Sequence, residues 1–374
     1  MNSFLQNIQQ HFNNQLPFVV YRAPHSQRIN AVLQKNTDLH VANDYTEKGF
    51  VFAPFQEAIN TPTVLFPISE CEIKSAEYTN LDTFLKSSET EEISIAPIDY
   101  KVLIENAISK IHQNDFNKVV LSRKMSSPLS NTQPLEIFER MLQKYPSAFV
   151  YCWFHPKIGL WLGATPEILM TIQGNTLRTV ALAGTQNFNG TVEVSWGDKE
   201  LTEQQIVTDY IVSQLNAFKL ESSKISVSKA KTIKAGNLLH LQTEIISTVN
   251  QSQFSVKDLL QQLHPTPAVC GDPKENALQF ILQNEGYNRD YYSGFLGELN
   301  MTKTQNRNTN WRNTENNAYK SLKTVSNFYV NLRCMQILGT EAQLYVGGGI
   351  TKDSNPQSEW HEIMAKLQTV KSVL

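Results

Sequence analysis

The sequence predicts an α+β fold based on antiparallel sheet, and three observations indicate it. Four strand-like segments follow one another closely between residues 148 and 184: AFVYCWF, GLWLG, EILMTI and TLRTVALAG. Connections this short join antiparallel neighbours, because a parallel pair needs a crossover of a dozen or more residues. Segments with helical spacing lie between the strand groups. The chain has 374 residues, 41% of them hydrophobic, which is enough for a large core.

The helices are predicted from apolar periodicity and from residues suited to helix ends. Asp99 is placed to cap DYKVLIENAISKIHQND, and Pro134 to begin PLEIFERMLQKY. A third helix is expected from about Gly197 to Leu215. GDPKENALQFILQNE should begin with Asp272 as its cap, and a last helix should begin at about Gln357.

Several segments suggest how the chain is divided. Residues 1–95 are irregular, with strand-like runs LPFVVYRAP and GFVFAPF, and the polar stretch KSSETEE at 86–92 is the best candidate linker. Two late strands, FYVNLRCMQI and AQLYVGG, precede the last helix. Residues 300–324, low in apolar content, are expected to form a long exposed hairpin loop. We therefore distinguish an irregular N-terminal part, 1–95, which is expected to belong to the same fold, from a main region, 96–374.

The composition excludes several classes of partner. The formal net charge is −2 with a pI near 6.5, so a nucleic-acid or membrane-surface partner is not suggested. No apolar run approaches the roughly 20 residues that span a bilayer, and the N-terminus does not resemble a signal peptide. The four cysteines are far apart in the sequence and lack metal-ligand spacing. Disulfides are therefore not expected, and a reducing cytoplasm is favoured.

Acidic residues recur on two predicted helices. Glu359, Glu362 and Lys366 share one helix face, and Glu200 and Glu203 repeat the spacing on an earlier helix. These residues could form ordinary solvated faces. Alternatively, the two helices face each other across one divalent ion such as Mg²⁺, which prefers carboxylate oxygens. The spacing leaves both interpretations open.

Other candidates are ambiguous when taken singly. Lys118, at the entry to the strand KVVLSRK, is either a solvated charge or a base aimed into a pocket. Glu167 in GATPE follows what could be a plain turn, and His240 among leucines could be a core histidine. LAGT (182–185) and VGGGI (346–350) permit close approach of backbone to a ligand, VGGGI through a bend. Arg333 interrupts an apolar strand, and a buried arginine needs an anion.

The order of these motifs is more specific than any one of them. KVVLSR, GATPE, LAGT, KELTE, NLLHL, HPTPAVCG, YYSGFLG, VNLR, VGGGI and SEWHEIMAK follow one another from residue 118 to 366. The chain thereby resembles the chorismate-utilising enzymes, which include anthranilate synthase component I, from about residue 95 to 374. The resemblance implies a single compact α+β unit, with two large, mostly antiparallel sheets packed together, helices outside and an active site in a cleft.

The resemblance also implies roles for individual residues. Mg²⁺ would be held chiefly by Glu203 and Glu362, with Glu200 and Glu359 beside them or acting through water. Chorismate would be bound by groups that pair with its carboxylates or line its ring: His240, Gly184, Thr185, Tyr292, Arg333, Gly349 and Lys366.

Two positions distinguish the subfamilies. The hydroxylating members resemble this chain in having Lys118, and aminodeoxychorismate synthases often have lysine where Ala183 stands. The implied activity is isochorismate synthase: water adds at C2 of chorismate and the C4 hydroxyl leaves, for menaquinone or siderophore biosynthesis. Lys118 would take the proton of water, and Glu167, its pKa raised in a dry site, would protonate the leaving hydroxyl.

Three alternatives stay open. A salicylate synthase would also have the lysine, an anthranilate or aminodeoxychorismate synthase component I would need a glutaminase subunit, and a non-catalytic chorismate-binding protein would lack a catalytic group. We expect chorismate as the partner, no glutaminase subunit, and a monomer or weak homo-oligomer. Two residues depart from the family pattern: Gln204 replaces a usual histidine and Gly348 a usual alanine.

Overall fold

The computed structural model describes residues 2–78, 96–129, 133–218, 225–249, 255–306 and 320–374. Within them the chain forms two large antiparallel sheets and seven α-helices. The helices are α1 (Asn2–Asn13), α2 (Ile98–His112), α3 (Pro134–Lys144), α4 (Asp198–Ala217), α5 (Val256–Leu263), α6 (Lys274–Asn284) and α7 (Pro356–Lys371).

Strands are numbered along the chain, and each sheet is described from one edge to the other. The first sheet contains β15 (Gly271–Asp272), β7 (Lys118–Pro128), β19 (Glu341–Ile350), β18 (Cys334–Leu338), β9 (Gly159–Thr165), β8 (Phe149–His155), β1 (Phe18–Arg22), β2 (Arg28–Gln34) and β6 (Cys71–Glu77). The second contains β12 (Ser226–Val227), β14 (Leu238–Thr248), β11 (Thr176–Asn187), β10 (Ile168–Gln173), β17 (Lys320–Val330), β16 (Phe295–Asn306), β4 (Gly49–Ala53), β5 (Val64–Pro67) and β3 (His40–Val41), with β13 (Lys231–Ala235) also on β14.

The two sheets pack face to face through an aromatic core. Phe52 of the second sheet lies 4.6 Å from Trp153 of the first, and Phe149 stacks on Tyr329 at 4.1 Å between ring centres. Aliphatic side chains cover the outer faces, beneath α1, α2, α3, α6 and α7 on the first sheet and beneath α4 and α5 on the second. The predicted fold class, two antiparallel sheets with helices outside in one compact unit, is confirmed.

Strands from the first 78 residues enter both sheets. β1, β2 and β6 extend the first sheet, and β3, β4 and β5 extend the second. This part is more regular than the sequence suggested, because α1 and six strands form in it. The candidate linker at 86–92 and the boundary at residue 95 lie outside the described residues.

The chain passes between the sheets at two places that matter below. Between β9 and β10 it leaves the first sheet through Pro166 and Glu167, and between β17 and β18 it returns through residues 331–333. The two crossings are hydrogen-bonded to each other's flanks: Ala164 N donates to Arg333 O at 3.1 Å and Val330 N donates to Glu167 O at 3.0 Å.

All five predicted helices form, but two predicted caps are wrong. The helix expected at Asp99 begins at Ile98, and the Asp99 carboxylate instead pairs with Arg123 at 2.9 Å. Asp272 belongs to β15, opposite Lys118, so α6 begins two residues later. Pro134 does begin α3. No helix of the described residues is both long and apolar enough to cross a membrane.

Three strand predictions need correction. FYVNLRCMQI is not one strand, because β17 ends at Val330 and Arg333 takes a left-handed φ of +49° before β18. VGGGI does not bend: it is the straight end of β19, paired with β7. The expected hairpin loop at 300–324 is shorter, since β16 and β17 pair up to Asn306 and Lys320; residues 307–319 lie outside the described part.

Candidate active site

A narrow cavity lies at the two crossings between the sheets, and it gathers most of the predicted site. The walls come from Pro166 and Glu167 at the first crossing and Leu332 and Arg333 at the second, from β11 and β14, from α4 and α7, and from the end of β19. Nine of the thirteen residues predicted for the site line it: Glu167, Gly184, Thr185, Glu203, His240, Tyr292, Arg333, Gly349 and Lys366.

Glu167 is held at the first crossing with its carboxyl group in the cavity. Its backbone is fixed on both sides, since its N–H donates to Thr165 Oγ1 at 3.2 Å and its carbonyl accepts from Val330 N. The side chain is 5% exposed. Burial raises the pKa of this carboxyl to about 7, against the opposing charges of Lys118, Arg333 and Lys366.

Arg333 comes from the second crossing and is half-buried. No carboxylate of the described residues lies within salt-bridge distance of its guanidinium, and burial lowers its pKa. Its Nη2 lies 3.5 Å from His240 Nε2. An arginine placed in this way is suited to a bound anion.

His240 is neutral and its tautomer is fixed. Nδ1 lies 2.8 Å from the carbonyl oxygen of Gly184, which can only accept, so the proton is on Nδ1 and Nε2 is free to accept from Arg333. Burial, reinforced by Arg333, lowers the pKa of His240 to about 3. His240 is therefore a wall of the cavity rather than an isolated core histidine.

Lys118 is buried behind Glu203. Its side chain has no exposure and does not line the cavity, and its Nζ lies 2.9 Å from Glu203 Oε1. The geometry of this ion pair is not that of a good hydrogen bond, and Nζ has no other acceptor among the described residues. Glu203, which does line the cavity, therefore stands beside the lysine on its open side.

Gly349 makes room for this pair. A Cβ at residue 349 would lie 2.4 Å from Glu203 Oε1 and 3.0 Å from Lys118 Cε. Gly349 is opposite Val120 in the ladder, so Lys118, Val120 and Gly349 share one face of the sheet. Gly348 lies on the other face, where a Cβ would meet Ile363 at 3.1 Å.

The end of β19 offers unpaired backbone groups to the cavity. β18 pairs with β19 only up to Leu344, so beyond that point one edge of β19 has no strand partner within the described residues. Lys366 Nζ donates to Gly347 O at 3.2 Å on this edge. Since the N–H and C=O of one strand residue point the same way, and residues two apart repeat the direction, Gly349 N–H lies on this edge too.

The glycine in LAGT forms a β-bulge and not a turn. β11 continues to Asn187, but its register with β14 shifts between Ala183 and Gln186, where Gly184 has a φ of +70°. The bulge turns the carbonyl of Gly184 toward His240 and places Thr185 in the cavity wall. Tyr292 closes another wall, stacked on Tyr345 at 5.3 Å.

The predicted metal ligands approach the end of β19 from two helices. Oxygens of Glu359 and Glu362, on α7, both lie 4.0 Å from the point that a Cβ on Gly348 would occupy. Glu203, on α4, lies over Gly349. Glu200 is not brought to this group: it does not line the cavity, and its carboxylate lies over Gly197.

Each of these three carboxylates is paired with a lysine. Besides Lys118–Glu203, Lys366 contacts Glu362 at 2.6 Å, and Lys199 of α4 contacts Glu359 of α7 at 2.5 Å. Burial, then the neighbouring charge, raises the pKa of Glu359. Burial opposes ionisation of Glu362, but Lys366, together with Lys199 and Arg333, outweighs it and lowers the pKa of Glu362.

The donor set fits a hard divalent cation. Carboxylate oxygens from two helices lie at one strand end, and Glu359 Oε2 is buried without a hydrogen-bond partner among the described residues. In the lysine-paired arrangement, no three acidic or histidine side chains of the described residues converge closely enough to share an ion. A bound cation would therefore replace the lysines as the partner of these carboxylates.

Lys199 was missed at the level of sequence. It lies within the motif KELTE, of which only the acids were predicted for the site, and its ion pair with Glu359 joins α4 to α7. Gln204, the departure from the family pattern, faces away from the acids. Its amide donates to Ala181 O and Thr243 Oγ1, both at 3.1 Å, and so ties α4 to the sheet.

Comparison with known proteins agrees with this architecture. The salicylate biosynthesis isochorismate synthase of Pseudomonas aeruginosa is 29% identical over 284 residues, which are 74% of this chain and 54% of the relative. Isochorismate synthase MenF of Bacillus subtilis is 29% identical over 286 residues, 74% of this chain and 55% of the relative. The chain thus spans about half the length of these curated relatives.

A solved structure supports the fold. The menaquinone-specific isochorismate synthase MenF of Escherichia coli superposes with a TM-score of 0.73 at 21% identity, covering 96% of this chain and 88% of that one. The family model described as chorismate binding enzyme matches residues 62–306 and 319–374, well over half of the sequence. The chain belongs to the family of chorismate binding enzymes.

Proposed function

We propose that the protein is an isochorismate synthase, which converts chorismate to isochorismate with Mg²⁺ as its cofactor. The observation that carries the proposal is the pair of buried groups at one site: Lys118 beside the cavity and Glu167 within it, a carboxyl whose pKa is raised to about 7. A base and an acid in one water-poor site are what water addition and hydroxyl loss require.

The reaction conserves all atoms. Water gives a proton to Lys118, and its oxygen bonds to C2 of the ring. The ring double bonds shift, the bond from C4 to its hydroxyl breaks, and Glu167 protonates the departing oxygen, so a second water leaves. Glu167 suits the donor role because burial keeps much of it protonated near neutral pH.

The cavity supports binding of a dianion. Arg333 is half-buried without a carboxylate partner among the described residues, Lys366 reaches the same cavity, and the N–H of Gly349 lies on the unpaired edge of β19. Charge-assisted hydrogen bonds of this kind hold carboxylates more strongly than neutral ones. Neutral His240 and Thr185 would border the ring without adding charge.

Glu203 and Glu362 would hold Mg²⁺, with Glu359 adjacent. Bound there, the ion would neutralise a substrate carboxylate and fix the position of the ring. Its ligands would have to leave their lysines, and Glu203 in particular would have to leave Lys118. Lys118 would then face the cavity, where a water molecule can reach it.

Lys118 and Ala183 also argue against amination, so we propose that the enzyme acts without a glutaminase subunit. The product would serve menaquinone or siderophore synthesis. The names of similar proteins mention both menaquinone and salicylate, the latter a product that a salicylate synthase forms directly.

The decisive experiment is product analysis. The purified protein is incubated with chorismate and Mg²⁺, with and without ammonium, and the products are separated by chromatography. Isochorismate alone supports the proposal, whereas salicylate with pyruvate, or anthranilate, refutes it. Lys118→Gln should abolish water addition and leave Mg²⁺-dependent binding of chorismate largely intact, measured by calorimetry; full activity of this variant would remove Lys118 from the mechanism.

A further inference from the structure

The strand that carries Lys118 has an unusual edge. β15 pairs with β7 only at Lys118 and Val119, and one more hydrogen bond follows, from Val120 N to Cys270 O at 2.7 Å. Beyond it, Val120 C=O and Ser122 N–H on this edge have no strand partner among the described residues. Backbone groups buried without partners would cost stability and let the strand shift.

Two side chains take the place of the missing strand. Glu285 Oε1 accepts from Ser122 N at 2.8 Å and from Ser122 Oγ at 3.0 Å. Arg289 Nη2 donates to Val120 O at 2.7 Å. The two side chains are joined to each other, with Arg289 Nε at 2.8 Å from Glu285 Oε2 and Nη2 at 2.5 Å from Oε1.

The same ion pair reaches two further walls of the cavity. Arg289 Nη1 donates to Val269 O at 2.8 Å, and both Val120 and Val269 line the cavity. The backbone carbonyl of Arg289 accepts from the N–H of Tyr292, another wall residue. One guanidinium therefore fixes the spacing of β7, the segment before β15 and the segment that carries Tyr292.

The pair is buried, with side-chain exposures of 2% for Arg289 and 1% for Glu285. Burial opposes the charge of Arg289, but the charge and hydrogen bonds of Glu285, together with Tyr287 and Tyr292, outweigh it and raise the pKa of Arg289. Buried ion pairs often add little net stability compared with apolar packing. Stability alone is therefore a weak reason for this one, whereas its fork of donors matches two carbonyls and a carboxylate in a fixed geometry.

We propose that Arg289 and Glu285 are positioning residues, which hold β7 so that Lys118 is aimed at the substrate. The inference rests on the proposed function of Lys118. Neither residue touches the substrate cavity with its charged group, so both act through Val120 and Ser122, two and four residues after the base.

The test uses Arg289→Lys, which keeps the charge but cannot bridge both carbonyls. Arg22→Lys is the matched control, because Arg22 is equally buried and also donates to two carbonyls, of Leu142 at 2.7 Å and Tyr145 at 2.5 Å, away from the cavity. We expect Arg289→Lys to lower kcat at least tenfold and change KM less than threefold, while Arg22→Lys keeps kcat within threefold of wild type.

Non-additivity separates positioning from general loosening. If Arg289 acts through Lys118, adding Arg289→Lys should lower no further the trace rate that remains in Lys118→Gln, measured over long incubation. Losses that multiply, or an unchanged kcat in Arg289→Lys, would overturn the proposal. If thermal unfolding shows that Arg289→Lys does not fold, Glu285→Gln gives the same comparison. Its amide oxygen can still accept from Ser122 N, but its amide nitrogen cannot accept from Arg289.

A readout independent of turnover distinguishes failure of this proposal from failure of the proposed function. Amide hydrogen exchange of the segment 118–122, followed by mass spectrometry, should accelerate at least tenfold in Arg289→Lys and stay unchanged in Arg22→Lys. Unchanged exchange in Arg289→Lys contradicts the positioning role even in an active enzyme. If exchange accelerates in Arg289→Lys but the wild-type protein does not form isochorismate, the assigned reaction is refuted instead.

Discussion

Two adjacent glycines at the end of β19 should differ in how much activity is lost when each is replaced by alanine. In Gly349→Ala the new methyl group would stand 2.4 Å from Glu203 Oε1 and 3.0 Å from Lys118 Cε. Ordinary contact begins at about 3.4 Å, so the carboxylate must move by about 1 Å. Both contacts are to flexible side-chain ends, and the fold can therefore tolerate the change.

The effect on activity should be large. A displacement of about 1 Å at a reacting group can cost about a hundredfold in rate, and in this site it would affect the proposed base and the foremost proposed metal ligand together. We expect kcat/KM for chorismate to fall about a hundredfold in Gly349→Ala, while the midpoint of thermal unfolding stays near that of wild type.

Gly348→Ala is the matched control. Its methyl group would lie on the opposite face of the sheet, 3.1 Å from Ile363 Cγ2, which has to give way by only a few tenths of an ångström. The carboxylate oxygens of Glu359 and Glu362 would lie 4.0 Å from it, an ordinary contact that requires no movement. Restricting a glycine in a strand stabilises by roughly 0.5–1 kcal/mol, and the family usually has alanine at this position. We expect near-normal activity. If Gly349→Ala keeps activity within twofold of wild type, or if Gly348→Ala is the more damaged variant, the assignment of the two faces is wrong.

Three further predictions test the charged groups. With a pKa of about 7, Glu167 should lose its proton as pH rises, so kcat/KM should decline above pH 7. Because the pKa of Glu167 in the folded state is raised above 4.5, its ionisation should also lower the free energy of unfolding as the pH rises from about 4.5 to 7. Glu167→Gln should lack this loss of stability and should retain about 1% of the rate or less, since a general acid typically contributes a hundredfold or more. Arg333→Met should lower kcat/KM about a hundredfold without lowering the thermal midpoint, since it removes a half-buried cation that has no acidic partner in the described structure; a clear loss of stability would contradict this. Mg²⁺ should raise the thermal midpoint by binding the native state, and Glu362→Gln should abolish that rise, so an equal rise in the variant would exclude Glu362 as a ligand.

The sequence predicted the sheets better than it predicted their ends. Closely spaced strands such as 148–154 and 159–163 require antiparallel pairing, and that pairing is local. Arg333 was correctly singled out as interrupting a strand, but the left-handed turn there depends on a crossing between sheets that no local pattern reveals. Asp272 has the residue type of a helix cap, yet tertiary pairing with β7 overrides the propensity.

The site divides in the same way. The order of motifs was enough to predict that Glu167, His240 and Arg333 lie at one cavity, because proteins with the same order of motifs share a topology. It could not show that Lys118 would be buried behind Glu203, since an ion pair between distant residues depends on side-chain positions alone. Nor could it show that Glu200 would lie apart from the other acids.

The double passage between the sheets has a consequence for how the protein matures. Glu167 and Arg333 are neighbours through Ala164 and Val330 but are far apart along the chain, and the carboxylates of α7 follow later still. No early segment of the chain can contain a partly working site, and contacts of such long sequence separation slow folding. During synthesis the protein should remain inactive until its last helix has been made and has docked, so newly made chains would acquire the ability to turn over substrate in a single late step.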